Sequence, residues 1–245
     1  HTGKKEFTVL QWNIWQEGPW FPAVMAIVDE IIRLRPDFVT LSEVRNYNNT
    51  NLQHAYPVAE EKGETYYSFY TYDTGLLSRY PITDSLTVFP ENGDHGSIYR
   101  LTTDMNGKKM AVYTSHLDYL DDAYYNVRGY DGSTWEEIPI PTTVEEVLER
   151  MSRHNVMMPS RCLSSRQRKT GKPDIPLFWV VISMASHQDW TEETKNLYDH
   201  HGLVIPWTVP VLLDEAGFVD AYRSFYPNVL DYPGFTYPSD NRPNL

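Results

Sequence analysis

The opening of the chain constrains the fold most. "FTVLQWNIW" (Phe7–Trp15) alternates apolar and polar residues and is rich in β-formers, so it reads as a strand. Pro22 then opens "PAVMAIVDEIIRLRPD". There Val24, Ile27, Val28, Ile31 and Ile32 recur at helical spacing, and Pro36 stops the run. "DFVTLSEV" follows as a buried strand. A strand, a helix and a second strand at the start of the chain predict a layered α/β domain.

The middle of the chain reads as a run of short strands: Thr65–Tyr72, Gly75–Ser78, Ser85–Phe89, Ile98–Thr103 and Lys109–Ser115. Asn106-Gly107 between the last two is a hairpin signal. Consecutive strands of this kind indicate antiparallel sheet rather than a βα repeat. Tyr119–Pro141 is a long acidic, aromatic insert of the kind that is functional or mobile. Thr142-x-x-Glu145 is a capping box opening a helix in "TTVEEVLER". "LFWVVI" (Leu177–Ile182) is an apolar strand. "WTEETKNLYDHHG", with Gly202 as a stop, and "VPVLLDEAG" read as helices.

The 245 residues suffice for one large domain with its own core, so a single domain over 1–245 is expected. The formal charge of −12 excludes a broad basic surface for duplex nucleic acid. No apolar run is long enough for a membrane helix. One cysteine, Cys162, permits no internal disulfide. The chain begins at His1, which fits an exported protein that has lost a signal peptide. A monomer is expected.

Reactive side chains collect at strand ends. Asn13 ends the first strand, Glu43 the second, and His116 and Asp118 a later one. A carboxylate beside an amide suits a hard cation, because oxygen ligands satisfy Mg²⁺ or Ca²⁺. A histidine at a strand end can orient or protonate a phosphate oxygen. Each residue alone also fits a solvated or cap position.

Taken in order, "VLQWNIW", "LSEVR", "GLLSRYPI", "AVYTSHLD" and "GFVDAYRSFYPN" resemble the successive motifs of the endonuclease/exonuclease/phosphatase superfamily, the DNase I-like fold. The resemblance runs from Phe7 to about Asn228. It implies a four-layer α/β sandwich, two mainly antiparallel sheets face to face with helices outside. It also implies hydrolysis of a phosphodiester or phosphomonoester with Mg²⁺, or Mn²⁺ or Ca²⁺. By the same resemblance Glu43 binds the metal, Asn13 is the active-site asparagine, and His116 binds phosphate or donates a proton. Asp220 would orient a second, C-terminal histidine. Arg79, Tyr80 and Asp118 would support substrate. His187 and Trp190 would border the site, although Asp189 and Thr191 beside them equally suit a helix N-terminus. His200, His201 and Glu215 read as ordinary helix ends.

Two pieces of the family pattern are missing: a strand ending Gly-Asp-Phe-Asn, and a terminal Ser-Asp-His. The chain ends "TYPSDNRPNL", where Ser239–Asn241 follows Asp220 too closely to be that histidine motif, so the domain is expected to be C-terminally incomplete. The first gap falls within an anomalous stretch. Met151–Asp174 carries six of the 21 basic residues and one of the 33 acidic ones, without helical or strand periodicity. Read from the third base of each codon, Phe178 to Met184 can encode Leu-Gly-Gly-Asp-Phe-Asn, the Leu and first Gly being forced by the genetic code. Met157-Met158-Pro159 is forced to Asp-Ala in the same frame, and an apolar helix and strand reappear around it. Residues 151–185 are therefore read as frameshifted between two compensating changes.

These expectations leave the substrate open: a small phosphate ester, a phospholipid headgroup or a nucleotide-type molecule. A non-catalytic binding protein on the same scaffold is the alternative, and a carbohydrate-binding module a more distant one.

Overall fold

The computed structural model describes residues 6–16, 23–44, 63, 65–70, 73–89, 97–117, 123–152, 177–182 and 189–234. The chain divides into two compact units. The first takes 1–91, 97–116 and 172–182; the second takes 92–96, 117–171 and 183–245.

Unit 1 is built on two four-stranded sheets. The first contains β1 (Val9–Asn13), β2 (Phe38–Ser42), β3 (Tyr67–Tyr70) and β4 (Thr74–Ser78) in the order β1-β2-β4-β3. β1 and β2 are parallel, because helix α1 (Ala23–Leu34) carries the chain back between them; the other two pairs are antiparallel. The second sheet contains β5 (Ile82–Phe89), β6 (Ser97–Asp104), β7 (Lys109–His116) and β8 (Leu177–Ile182) in sequence order. Its last pair is parallel, with Ile182 opposite His116.

The helical periodicity of α1 puts Ile27, Val28 and Ile31 against Val39, Leu41 and Leu77 of the first sheet. Each such fully buried side chain contributes roughly 1.5–3 kcal/mol of transfer free energy. Arg35 ends the helix in a left-handed conformation, φ 47°, with its N–H on the Ile31 carbonyl, just ahead of Pro36. The opposite face of the first sheet packs on the second: Phe38 and Leu76 meet Leu101, Met110 and Val112. This inter-sheet layer changes character along its length. Towards His116 the facing positions become Thr40, Ser42, Thr74 and Thr114, all buried. The hydroxyls of Thr40, Ser42 and Thr74 make no hydrogen bond among the described residues.

The β6–β7 hairpin forms as the sequence indicates. Asn106 (φ 54°) and Gly107 (φ 85°) both occupy the left-handed region, and Met105 and Lys108 exchange N–H···O bonds of 2.8 and 3.3 Å. That is the geometry of a two-residue type I′ turn, which Asn-Gly tolerates best.

Unit 2 has a smaller core. Helices α2 (Ala123–Val127) and α3 (Val144–Ser152) pack Ala123, Val127, Val147 and Met151 on Trp190, Leu203, Ile205 and Trp207. Two further helices, α4 (Thr208–Glu215) and α5 (Ala221–Phe225), follow. The Asp189–Arg223 ion pair, 2.6 Å and largely buried, ties the start of this segment to its end. Arg223 also donates to the carbonyls of Tyr226 and Tyr232. Gly234 lies so close that a Cβ there would stand 2.8 Å from the Asp189 carboxylate, and its own N–H donates to that group.

Two sequence expectations are corrected in unit 2. The cap of α3 is set one residue later than Thr142-x-x-Glu145: the Glu146 N–H donates to Thr143 Oγ1, and the Glu146 carboxylate accepts from the Thr142 N–H at 2.8 Å. "WTEETKNLYDHHG" is a chain of turns, not a helix. Its apolar residues are too few to line one helical face, and Tyr198 and His201 adopt positive φ. Within the aromatic insert the structure describes residues 123–141. They contain α2, a Tyr130–Glu137 bridge, and an Asp131 carboxylate accepting the N–H groups of Ser133 and Thr134.

His200 is buried against Trp190, ring centroids 3.8 Å apart and nearly parallel. Burial pushes its pKa down to about 4, opposed by the Thr194 backbone and Asp199. The folded value lies below the unfolded one, about 6.5. The unfolded chain therefore binds the proton first, and stability is full above pH 6.5 and falls as the pH drops towards 4. The urea midpoint of the tryptophan-fluorescence transition is expected to decline between pH 6.5 and 5. His200→Gln should remove that part of the slope; an unchanged slope would contradict the assignment.

Candidate active site

Parallel pairing of β1 and β2 brings Asn13 opposite Ser42, so the residues leaving both strands emerge together. Asn13 Nδ2 donates to Glu43 Oε1 at 2.9 Å. The chain then folds back over this pair. The Trp15 N–H donates to Asn13 Oδ1 at 2.9 Å, and the Gln16 N–H to Glu43 Oε2 at 2.8 Å. Trp15, Gln16 and Glu43 all have positive φ, of 40°, 54° and 66°. Non-glycine residues in this region carry backbone strain of order 1 kcal/mol each, and such strain clusters at functional sites.

Antiparallel pairing of β2 with β4 adds a residue that sequence reading missed. Ser42 faces Thr74, so Asp73 arrives beside Glu43, and the Val44 N–H donates to the Asp73 carbonyl at 3.1 Å. Asp73 is buried, 4% exposed, and its carboxylate is hydrogen-bonded to His116 Nδ1 at the end of β7. That bond joins the two sheets. With the carboxylate ionised it can only accept, so the proton of this bond sits on Nδ1 and Nε2 is the other ring nitrogen. One signal for Asp73 stood in the sequence: a carboxylate directly before a strand, in "YDTGLL". Nothing in its spacing links it to a histidine 43 residues away.

The structure thus brings Asn13, Glu43 and His116 to one end of unit 1 and adds Asp73. It does not bring Arg79 there. β4 runs from Thr74, just after Asp73, to Ser78, so Arg79 lies at the far end of a five-residue strand, roughly 17 Å long at about 3.3 Å per residue. The Arg79 N–H donates to the Asp37 carbonyl, and Tyr80 OH donates to the Asp37 carboxylate at 3.0 Å. Both hold the start of β2, not its active end. Asp118 and His187 lie outside the described residues, as do 153–176 and 183–185 of the anomalous stretch.

In unit 2, Trp190 is a core residue in contact with His200 and Trp207, so its ring is not available at a surface. Asp220 is the N-cap of α5, its carboxylate accepting the Arg223 N–H at 2.9 Å. That task alone accounts for an aspartate before a short helix.

The oxygen donors of unit 1 can be tested against the divalent cation the family pattern implies. Each Glu43 oxygen accepts one hydrogen bond from the described residues, which leaves lone pairs for a hard cation. Among the described residues no group of three or more His, Cys, Asp or Glu side chains converges. Glu43 therefore fits a cation that takes oxygen ligands, as Mg²⁺ and Ca²⁺ do.

The fold is the α/β fold of the DNase I type, two sheets with helices. The chain belongs to the endonuclease/exonuclease/phosphatase family, whose model matches residues 10–154. The reaction class that this family defines is hydrolysis of phosphate esters. An uncharacterised Caenorhabditis elegans protein, F14F9.5, is 28% identical over 241 residues, covering 96% of this chain and 71% of its own. An AP endonuclease from Archaeoglobus fulgidus shares the fold at a TM-score of 0.54 with 11% identity, over 91% of this chain and 76% of its own. TDP2 from D. rerio, solved with a single-strand DNA product, aligns at a TM-score of 0.46 with 14% identity, over 89% of this chain and 68% of its own.

Proposed function

We propose that the protein is a divalent-cation-dependent hydrolase of a small phosphate ester, working at the Asn13–Glu43 and Asp73–His116 pairs. The observation that carries this reading is their adjacency: one chain end of two packed sheets presents a carboxylate–amide pair beside a carboxylate–imidazole pair.

Each residue has a physical task. Asn13 and the Gln16 N–H hold the two Glu43 oxygens, fixing the carboxylate that would bind Mg²⁺, or Mn²⁺ or Ca²⁺. When bound, such a cation offsets charge on the phosphoryl oxygens and the leaving group. Asp73 fixes the ring of His116 with its proton on Nδ1. His116 Nε2 can then take a proton from the attacking water or return one to the departing oxygen. The net charge of −12 sets against a general duplex nuclease and favours a nucleotide-type molecule, a phospholipid headgroup or another small ester. Action outside the cell, as a monomer, is part of the same proposal.

Hydrolysis of bis-p-nitrophenyl phosphate, with Mg²⁺ against EDTA, tests the reading. It should be run on the chain as given and on a chain with residues 151–185 restored to the alternative frame. Turnover that EDTA abolishes is expected, and more of it from the restored chain. No metal-dependent turnover from either would overturn the enzyme reading. It would favour a binding protein on the same scaffold, for which one observation speaks: β8 ends at Ile182 and runs into Ser183-Met184, without a carboxylate.

A further inference from the structure

We infer that Trp15 is the platform on which a flat ring of the substrate stacks, so that the site selects phosphate esters carrying a nucleobase or a sugar face. This rests on the phosphoester reading of Glu43 and Asn13. The starting point is the exposure of the ring. Trp15 is 64% exposed, against 44% for Leu34 and 42% for Tyr67, the other exposed large apolar residues among those described in unit 1. Exposure alone is ordinary for a single apolar side chain; what distinguishes Trp15 is an exposed aromatic ring on a backbone bonded directly to the polar pair.

Its backbone is held in place by the site. The Trp15 N–H is fixed by Asn13 Oδ1, and the next N–H by Glu43 Oε2. Both Trp15 and Gln16 sit at positive φ, a conformation that a bulky residue leaves unless neighbouring bonds hold it. The indole is thus presented by a turn whose geometry depends on the cation-binding pair. The alternative, an indole serving the core, is excluded by its exposure. Stacking on an indole is tolerant of base identity, because every base has a π-face. Selection would therefore be for a ring, not for a sequence.

Calorimetric titration of the full chain in MgCl₂ with three probes tests this: methyl phosphate, 2-deoxyribose 5-phosphate and thymidine 5′-monophosphate. The unaltered chain is expected to bind the nucleotide about tenfold tighter than the sugar phosphate. Trp15→Ala should bind the two alike, and Trp15→Phe should keep most of the preference. If Trp15→Ala weakens the sugar phosphate as much as the nucleotide, and leaves methyl phosphate unchanged, the indole takes the sugar face. A tenfold preference surviving in Trp15→Ala overturns the inference while leaving the phosphoester reading intact. If the chain binds none of the three, and Glu43→Gln alters nothing, both fall together.

Discussion

Glu43→Gln is expected to lower kcat/KM for bis-p-nitrophenyl phosphate in saturating Mg²⁺ by roughly a thousandfold, about 4 kcal/mol of transition-state stabilisation. Two effects combine. The substitution removes the negative charge that would hold the cation. It also breaks a bracket of two donors, since Glu43 accepts from Asn13 Nδ2 on one oxygen and from the Gln16 N–H on the other. Glutamine offers one oxygen and one NH₂, so one donor must face another. The fold should survive, because Glu43 follows β2 and lies outside the buried strand residues. A thermal melt within a few degrees of the unaltered protein would confirm that the loss is chemical. Activity within threefold of the parent would remove Glu43 from the mechanism.

The second large effect concerns the histidine pair. Asp73→Asn should lower kcat roughly a hundredfold or more with little change in KM, because an amide offers His116 Nδ1 either a donor or an acceptor and no charge. The imidazole then loses its fixed tautomer and the support for its protonated form. His116→Gln should cost at least as much. The informative measurement is the double variant. Groups that act as one unit do not lose activity additively, so Asp73→Asn with His116→Gln should be no worse than His116→Gln alone. Multiplicative losses would mean that Asp73 serves only to join the two sheets.

Much of unit 1 was legible because its elements announce themselves locally. The 3.6-residue period of Ile27, Val28 and Ile31, the alternation before Asn13, and Asn106-Gly107 each act within a few residues. Strand ends could therefore be found, and with them Asn13, Glu43 and His116. Strand direction could not. Arg79 and Asp73 flank the same five-residue strand, and only the antiparallel pairing of β2 with β4 decides which of them reaches Glu43. The pairing delivers the Asp73 carboxylate there and carries the Arg79 guanidinium to the other end. Unit 2 was harder, because its order rests on contacts between distant residues. The burial of Trp190 depends on His200 and Trp207, and that of Asp189 on Arg223 and Gly234. None of these leaves a periodic trace. Polar runs such as "WTEETKNLYDHHG" then pass for helix when they are successive turns.

The graded layer between the sheets has an evolutionary corollary. Replacing Thr40 or Thr74 by valine keeps the shape and removes a hydroxyl that has no hydrogen-bond partner among the described residues, a change that ordinarily makes an interior sturdier. Selection for heat tolerance alone would therefore push this layer towards the uniform greasiness it already has around Phe38 and Leu101. The route runs through the end that carries Asp73 and His116, so sturdiness gained there would be drawn from the part of the molecule where polarity is useful.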